Sequence, residues 1–174
     1  RKYQVGDVDI LATTGSREEA MKYFSSLELA EETLSQGETK SSIRTEEGLR
    51  VDLRIVESDS FGSAMQYFTG SQQHNVRLRQ LAISDSYKLN EYGLYRENSG
   101  EKVAGRDERS VYGELGLDWI PPELREDRGE IDAAAAGTLP NLVEKDHIRG
   151  DLHCHSDRSS DGEIPLGTLV QEAK

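Results

Sequence analysis

Near the start of the chain, over residues 5–11, polar and apolar residues alternate. This run is β-branched or apolar apart from Gly6, Asp7 and Asp9, and such a composition predicts a strand. Because strand side chains alternate between two faces, Asp7 and Asp9 are expected on one face. Val8 and Ile10 are then expected on the opposite face, directed into a core.

A second stretch has the same alternation and carries a third acid. Residues 49–56 put apolar side chains on one face and Arg50, Asp52 and Arg54 on the other. If this strand neighbours the first one in a single sheet, three carboxylates converge on the polar face. The plainer alternative is that the two aspartates of the first strand lie on a solvated face.

Three carboxylates at one place require a counter-charge. At about 4 Å and an effective dielectric near 20, each pair repels by about 4 kcal/mol. Oxygen ligands of this kind suit Mg²⁺ or Mn²⁺. Two such ions about 3.5–4 Å apart can hold the attacking and leaving oxygens of an in-line phosphoryl displacement. The pattern therefore indicates metal-dependent phosphoryl transfer.

The rest of the pattern predicts a mixture of helices and strands. A capping box at Ser16 begins a helix whose apolar stripe runs to Leu34 and ends at Gly37. Residues 39–44 and 49–56 are predicted to form a hairpin. The other predicted elements are two helices capped by Ser60 and by Asp107, a helix that starts at Ser71, a strand-like stretch over 87–95 with a turn at Asn90, a strand near Val103, a strand over 151–156 and a helix from Thr168.

Two adjacent prolines, Pro121 and Pro122, exclude a helix interior and mark a change in organisation. Residues 116–149, which include an alanine run, are typical of a connection between domains. A second domain is expected to begin near residue 150.

Composition narrows the class of protein. The 174 residues suffice for one ordinary domain or two small ones. No apolar run approaches the roughly 18 residues of a membrane span, and one cysteine allows no internal disulfide. We therefore expect a cytoplasmic protein without a membrane partner, and a monomer. Because the chain begins at Arg1 without a methionine and ends in a predicted helix, we expect a piece of a longer protein.

The net charge of −12 is unusual for an enzyme that acts on nucleic acid, since phosphate binding favours basic surfaces. One explanation is an ordinary acidic surface with arginines concentrated near the site. The other is a saline cytoplasm, where the Debye length falls to about 3 Å at 1 M salt and distant acids repel DNA weakly.

A second group of metal-binding residue types lies near the end of the chain. His153 and His155 flank Cys154 on a predicted strand, and Asp161 follows in a loop. Two imidazoles on one face can chelate Zn²⁺, Mn²⁺ or iron, with Asp161 as a third ligand. The alternative is a polar strand face without metal. Cys154 is expected to pack rather than to ligate.

Together these motifs resemble the prokaryotic family X DNA polymerases, relatives of DNA polymerase beta, fused to a PHP domain. The resemblance covers nearly the whole chain, and the motifs keep the family's order. They are Gly6-Asp7-Val8-Asp9, Arg50-Val51-Asp52-Leu53-Arg54, Tyr67-Phe68-Thr69-Gly70-Ser71, Leu89-Asn90-Glu91-Tyr92-Gly93-Leu94, Ile120-Pro121-Pro122-Glu123-Leu124-Arg125-Glu126, Asp151-Leu152-His153-Cys154-His155-Ser156 and Ser160-Asp161-Gly162. The family's Gly-Ser-x-Arg-Arg triphosphate motif is not found in the chain.

The resemblance implies an α+β fold. Its parts would be a nucleotidyltransferase palm sheet with flanking helices (1–57), a small α/β thumb that binds the nucleotide (58–115), a linker (116–149) and the first βα unit of a PHP domain related to α/β barrels (150–174). The implied activity is DNA-directed DNA polymerisation in short-gap repair, with a 3′–5′ exonuclease or phosphoesterase in the PHP domain. The implied partners are gapped or primer–template DNA and a deoxynucleoside triphosphate.

Residue roles follow from the same resemblance. Asp7, Asp9 and Asp52 would be catalytic and bind Mg²⁺ or Mn²⁺. The residues implied to bind the nucleotide are Gly6, Arg50, Arg54, Tyr67, Phe68, Thr69, Gly70, Ser71 and Asn75. The residues implied to contact DNA are His74 and Arg79. The residues implied to bind Zn²⁺ or Mn²⁺ in the PHP site are His153, His155 and Asp161.

Three alternatives stay open. The chain could belong to another nucleotidyltransferase of the same superfamily, one that tails RNA or modifies an antibiotic. It could belong to a PHP phosphoesterase that uses the palm to bind DNA. It could also be inactive by itself, because the triphosphate motif is missing from it.

Overall fold

The computed structural model describes residues 5–150 and 153–172, and the chain divides into two compact units after Leu139. The fold class is α+β, as predicted. The strands are β1 (Asp7–Ala12), β2 (Ala30–Gln36), β3 (Lys40–Thr45), β4 (Arg50–Ile55), β5 (Tyr87–Asn90), β6 (Gly93–Arg96) and β7 (Lys102–Ala104). The helices are α1 (Arg17–Ser25), α2 (Phe61–Thr69), α3 (Gln72–Ser84), α4 (Glu108–Glu114), α5 (Glu130–Ala135) and α6 (Leu166–Glu172).

The first sheet has the strand order β1-β4-β3-β2. β1 runs parallel to β4, while β4, β3 and β2 are antiparallel neighbours. The predicted hairpin between β3 and β4 is confirmed, and its turn uses Gly48 at φ +81°, a conformation that glycine adopts without steric cost. Helix α1 packs on β2, β3 and β4. The buried core residues of this layer are Met21, Phe24, Ile43, Val51, Leu53 and Ile55.

The prediction that the first helix continues to Leu34 is wrong. Helix α1 ends at Ser25, and β2 begins at Ala30 and pairs with β3. The apolar spacing fits a helix, but pairing with β3 satisfies the backbone of this segment in the sheet, so tertiary context overrides the local pattern. The Ser16 side chain makes no capping hydrogen bond, so the predicted capping box does not form.

The prediction that Val8 and Ile10 are buried is also wrong, since their residues are 38% and 42% exposed. β1 lies at the edge of the sheet, whereas α1 covers the part of this face that β2, β3 and β4 form. The alternation in β1 therefore predicts the strand correctly, but it does not predict which of its side chains are buried.

Helices α2, α3 and α4 and the antiparallel sheet β5-β6-β7 form a second layer of the first unit. The predicted cap at Asp107 is confirmed, because Asp107 Oδ1 accepts the Ser110 N–H at 2.8 Å. The cap predicted at Ser60 is wrong, since the Ser60 side chain makes no capping hydrogen bond. Ser71, the predicted start of α3, does cap it: Ser71 Oγ accepts the His74 N–H at 3.1 Å. The Asn90 turn is confirmed as well, because Asn90 Oδ1 accepts the N–H of Tyr92 at 2.9 Å.

Residues 116–139 differ from the connection that the sequence predicts. Their side chains contribute Leu117, Ile120, Ile131 and Ala134 to the core of the second layer. Two turns of this stretch are helical, at Pro122–Leu124 and in α5. The proline pair therefore ends regular helix without ending the compact unit.

The second unit begins at Pro140. Residues 153–156 have no regular secondary structure, so the predicted strand over 151–156 does not form there, and residues 151 and 152 lie outside the described part. Helix α6 begins at Leu166, two residues before the predicted start. Within the described part of the chain, no helix has the length and apolar character needed to cross a membrane.

Candidate active site

The pairing of β1 with β4 brings the three predicted carboxylates onto one face of the sheet. Asp9 is the register partner of Asp52, and Asp7 is the partner of Arg50. Residues two apart on a strand share a face, so Asp7, Asp9 and Asp52 lie on the same side. Asp7 and Asp9 are exposed, whereas the Asp52 residue is 4% exposed. The strand register therefore places the three carboxylates on one face, as the alternation in the sequence predicted.

Two cationic side chains hold the Asp52 carboxylate. Arg50 donates to both of its oxygens, from Nε at 2.8 Å and from Nη2 at 3.1 Å. Lys40 Nζ lies 2.6 Å from Oδ2. Burial acts to raise the pKa of Asp52, but the hydrogen bonds from Arg50 and Lys40 outweigh it and hold that pKa well below its usual range. Asp52 is therefore ionised throughout the neutral range.

The free energy of unfolding should therefore decrease as the pH falls, because Asp52 becomes protonated and loses its ion pairs. A depressed folded-state pKa gives a contribution that is complete above the unfolded-state pKa of about 3.9 and is lost as the pH falls below it. Asp52→Asn should lower the free energy of unfolding by about 2 kcal/mol at pH 7, the size of hydrogen bonds to a charged group. The loss should shrink below about pH 4.

Urea unfolding at neutral and acidic pH measures this difference. Asp118→Asn, at an exposed aspartate of the same unit, is the control and should change little at any pH. A loss for Asp52→Asn that is the same at every pH would contradict the assignment of an ionised, paired carboxylate.

Arg54 links the carboxylate face to the second layer. Its Nε lies 3.6 Å from Asp9 Oδ1, and its guanidinium carbon lies 4.7 Å from the centre of the Phe68 ring. Phe68 meets Tyr67 edge to face, with ring centres 5.1 Å apart. Both predicted arginines therefore contact the carboxylates, Arg50 through Asp52 and Arg54 through Asp9. Asp52 raises the pKa of Arg50 most, and Asp7 and Asp9 add to this effect.

The turn between α2 and α3 carries the other predicted nucleotide-binding residues, Tyr67, Phe68, Thr69, Gly70 and Ser71. Tyr67 and Phe68 are half-buried, as are the three residues that follow them. Asn75 closes this turn: its Nδ2 donates to the Tyr67 carbonyl at 2.7 Å, and its Oδ1 accepts from Gln66 at 2.8 Å. In this structure the Asn75 amide thus holds the turn, and its residue is only 8% exposed.

His74 does not lie at a surface that DNA could reach. Its residue is 0% exposed, and its ring contacts Glu130 at 2.6 Å and the Tyr112 hydroxyl at 3.1 Å. The implied DNA contact of His74 is therefore corrected to an interior role, because both ring nitrogens are already hydrogen-bonded. Arg79 remains half-buried and donates from Nε to the Asn75 carbonyl at 3.2 Å. Gly6 is exposed.

The face fits divalent ions in the chemistry of its donors, which are all carboxylate oxygens. Its side chains are not gathered as a metal site, and among residues 5–150 and 153–172 no group of three or more His, Cys, Asp or Glu is arranged to hold an ion. Instead, Lys40, Arg50 and Arg54 supply the counter-charge to Asp52 and Asp9. A bound ion would have to compete with these cations for the carboxylates.

In the second unit, the histidines meet although they do not share a strand. His155 Nε2 lies 2.7 Å from His153 Nε2, and His155 Nδ1 lies 2.8 Å from Asp161 Oδ1. His153, His155 and Asp161 are exposed, and the hydrogen bond from His155 lowers the pKa of Asp161. Cys154 is exposed rather than packed, which corrects that prediction.

Three residues around the carboxylate face and the turn between α2 and α3 were missed in the sequence analysis. Lys40 could have been found, since it shares a strand face with Ser42, whose register partner is Asp52. Arg125 lies in the motif over residues 120–126 but had no role assigned to it, and Glu130 had no local signal, because it lies in the stretch that composition assigns to a connection. Both are buried charged residues, at 0% and 6% exposure.

The known proteins to which the chain is similar include DNA polymerases. Residues 64–126 match the DNA polymerase beta thumb family. The chain is 32% identical over 169 residues to a DNA polymerase/3′-5′ exonuclease PolX of Bacillus subtilis, an alignment that covers 96% of this chain and 29% of that protein. It is 34% identical over 87 residues to DNA polymerase lambda of Rattus norvegicus, covering 44% of this chain and 15% of the relative.

Solved structures agree with these sequence matches. The ternary gap complex of Leishmania infantum polymerase beta superimposes with a TM-score of 0.57 at 29% identity, covering 68% of this chain and 56% of that one. The chain spans less than a third of the length of the Bacillus relative.

Proposed function

The chain belongs to the family X DNA polymerases, and from this premise we propose that the protein containing it adds deoxynucleotides to a primer 3′ end on gapped or primer–template DNA. The observation that carries the proposal is the register of two parallel strands, which sets Asp9 opposite Asp52 with Asp7 on the same face. Short-gap repair is the corresponding role, and the DNA and the nucleotide triphosphate are the proposed partners.

In this proposal Asp7 and Asp9 hold both divalent ions, and Asp52 holds one of them. Bound Mg²⁺ or Mn²⁺ would stabilise the attacking and leaving oxygens of the phosphoryl displacement. Asp52, ionised at neutral pH, would help to lower the pKa of the primer 3′-hydroxyl through the ion that it holds. Lys40 and Arg50 fix the direction of its carboxylate through contacts of 2.6–2.8 Å. Arg50 and Arg54 offset negative charge that develops during the reaction.

The turn from Tyr67 to Ser71 would receive the nucleotide. Tyr67 and Phe68 offer half-buried aromatic faces for the sugar. Ser71 Oγ accepts the His74 N–H at 3.1 Å, so the Ser71 hydroxyl proton stays able to donate to a phosphate oxygen. Backbone N–H groups at this helix start also favour an anionic group.

The test is nucleotide incorporation by the protein that contains this chain. On DNA with a one-nucleotide gap and Mg²⁺ or Mn²⁺, we expect addition of the nucleotide complementary to the template base and little addition of the other three. Incorporation that ignores the template would favour a tailing nucleotidyltransferase and would overturn the proposal.

A second candidate activity rests on the contact among His153, His155 and Asp161. The Nε2 atoms of His153 and His155 lie 2.7 Å apart, and the Asp161 carboxylate contacts the other ring nitrogen of His155. These are the ligand types of a Zn²⁺ or Mn²⁺ site. We propose that these residues form part of a PHP site with phosphoesterase or 3′–5′ exonuclease activity. Metal-dependent release of nucleotides from a DNA 3′ end that survives Asp52→Asn would support a separate site. Loss of release together with extension would contradict it.

A further inference from the structure

We infer that Glu130 and Arg125 are positioning residues for the nucleotide-binding turn, an inference that rests on the proposed polymerase function. Both residues follow α4 in sequence, and Glu130 lies beyond the stretch that matches the thumb family. Because they are 6% and 0% exposed, neither side chain can touch a nucleotide or DNA. Their effect must pass through the residues that they hold.

Arg125 holds the middle of the turn. Its Nη1 donates to Thr69 Oγ1 at 2.5 Å and to Glu108 Oε1 at 2.6 Å, and its Nε donates to the Ile120 carbonyl at 2.9 Å. The Thr69 hydroxyl in turn donates to the Met65 carbonyl at 2.6 Å, so its orientation is determined. The backbone N–H of Ser71 donates to the Arg125 carbonyl at 2.9 Å. One buried residue thus fixes both sides of Gly70.

Glu130 holds the start of α3 through His74. Its carboxylate accepts the backbone N–H groups of Asp127 at 2.9 Å and Arg128 at 2.6 Å, and it contacts His74 Nδ1 at 2.6 Å. Since an ionised carboxylate only accepts, Nδ1 carries the proton, and Nε2 then accepts from the Tyr112 hydroxyl. Burial lowers the pKa of His74, which agrees with a neutral ring.

Gly70 transmits this arrangement to the turn. A Cβ atom at position 70 would lie 2.8 Å from Asn75 Oδ1 and 3.1 Å from His74 Cδ2, so the backbone of the turn rests directly on these two side chains. A displacement of the His74 ring therefore displaces Gly70 or leaves a gap beneath it.

The expected kinetic effect follows from the population of the correct turn. If only a fraction of molecules has the turn in its binding conformation, apparent nucleotide affinity falls by that fraction, while bound complexes still react normally. Glu130→Gln puts an amide donor beside two backbone donors and should raise the KM for the incoming nucleotide about tenfold, with kcat within about twofold. A merely unstable protein would lose active molecules and hence apparent kcat, without a change in KM.

The experiment compares Glu130→Gln with Asp132→Asn, two residues further on the same helix, where the side chain is exposed and pairs with Arg77. Steady-state kinetics on gapped DNA should show the KM increase for Glu130→Gln alone. Hydrogen exchange should show faster exchange in residues 66–75 of that variant and unchanged exchange in α1. Arg125→Lys, which keeps the charge beside Glu108, should shift KM in the same direction and serves if Glu130→Gln does not fold.

The outcomes separate this inference from the proposed function. Hydrogen exchange over residues 66–75 at the wild-type rate in both Glu130→Gln and Arg125→Lys overturns the inference, whether or not the protein polymerises DNA. A wild-type KM for the incoming nucleotide in both of these variants also overturns it. A wild-type protein that adds no nucleotide overturns the proposed function instead, and the exchange experiment then still decides whether Glu130 and Arg125 hold the turn.

Discussion

Asp52→Asn should reduce primer extension by about 10³-fold or more while DNA binding is retained. The substitution keeps the size of the side chain but removes the charge that Lys40 and Arg50 neutralise at 2.6 and 2.8 Å. In the proposed reaction it also removes a metal ligand and the charge that helps to lower the pKa of the primer hydroxyl. Loss of a single electrostatic contact in a transition state costs about 10²–10³-fold, and here two roles are lost together.

Asp59→Asn is the matched control for this prediction. Asp59 is an aspartate of the same unit that also pairs with a lysine, Lys102 at 3.0 Å, but it lies in the loop before α2 and its side chain is 68% exposed. Extension assays and DNA-binding titrations of both variants make the comparison. Extension by Asp52→Asn at the level of Asp59→Asn would refute the role assigned to Asp52.

Gly62→Ala should destabilise the first unit by about 3 kcal/mol, or about 10 °C in Tm. Near the start of α2, the Gly62 N–H donates to the Arg106 carbonyl at 3.2 Å. A Cβ there would lie 2.1 Å from the carbonyl carbon and 2.2 Å from the Cα of Asp107. Because these are backbone atoms, no side-chain rotation can relieve the overlap, so α2 and the loop before α4 must move apart.

Gly113→Ala supplies the contrasting result. Gly113 lies in α4, is exposed, and a Cβ there would meet nothing within 4 Å. Alanine should therefore raise stability by about 0.5 kcal/mol through helix propensity alone. Thermal unfolding of the two variants measures the difference. A Tm for Gly62→Ala equal to that of Gly113→Ala would contradict the close packing described at Asp107.

Alternation in the sequence predicted the face of the carboxylates because strand geometry is local. The period of two depends only on backbone conformation, so Asp7, Asp9 and Asp52 could be assigned to polar faces before any tertiary contact was known. Their neighbouring position in the sheet was a hypothesis, and the pairing of β1 with β4 confirms it. Burial did not follow from the same pattern, as the exposed Val8 and Ile10 demonstrate.

The parts that could not be predicted depend on contacts distant in sequence. β2 has a helix-like spacing of apolar residues and becomes a strand only because β3 pairs with it. Arg125 lies in a stretch rich in prolines and charges, yet it is buried through contacts with Thr69 and Glu108. His74 was assigned to DNA from its place in a motif, whereas its burial depends on Glu130, 56 residues away.

Anomalous diffraction from crystals of the protein grown with Mn²⁺ and a nucleotide triphosphate tests the common divalent-ion site of β1 and β4 most directly. We expect manganese bound by oxygens of Asp7, Asp9 and Asp52, with the Lys40 ammonium no longer in contact with Asp52. Manganese bound only elsewhere, with Asp52 still held by Lys40 and Arg50, would contradict the account.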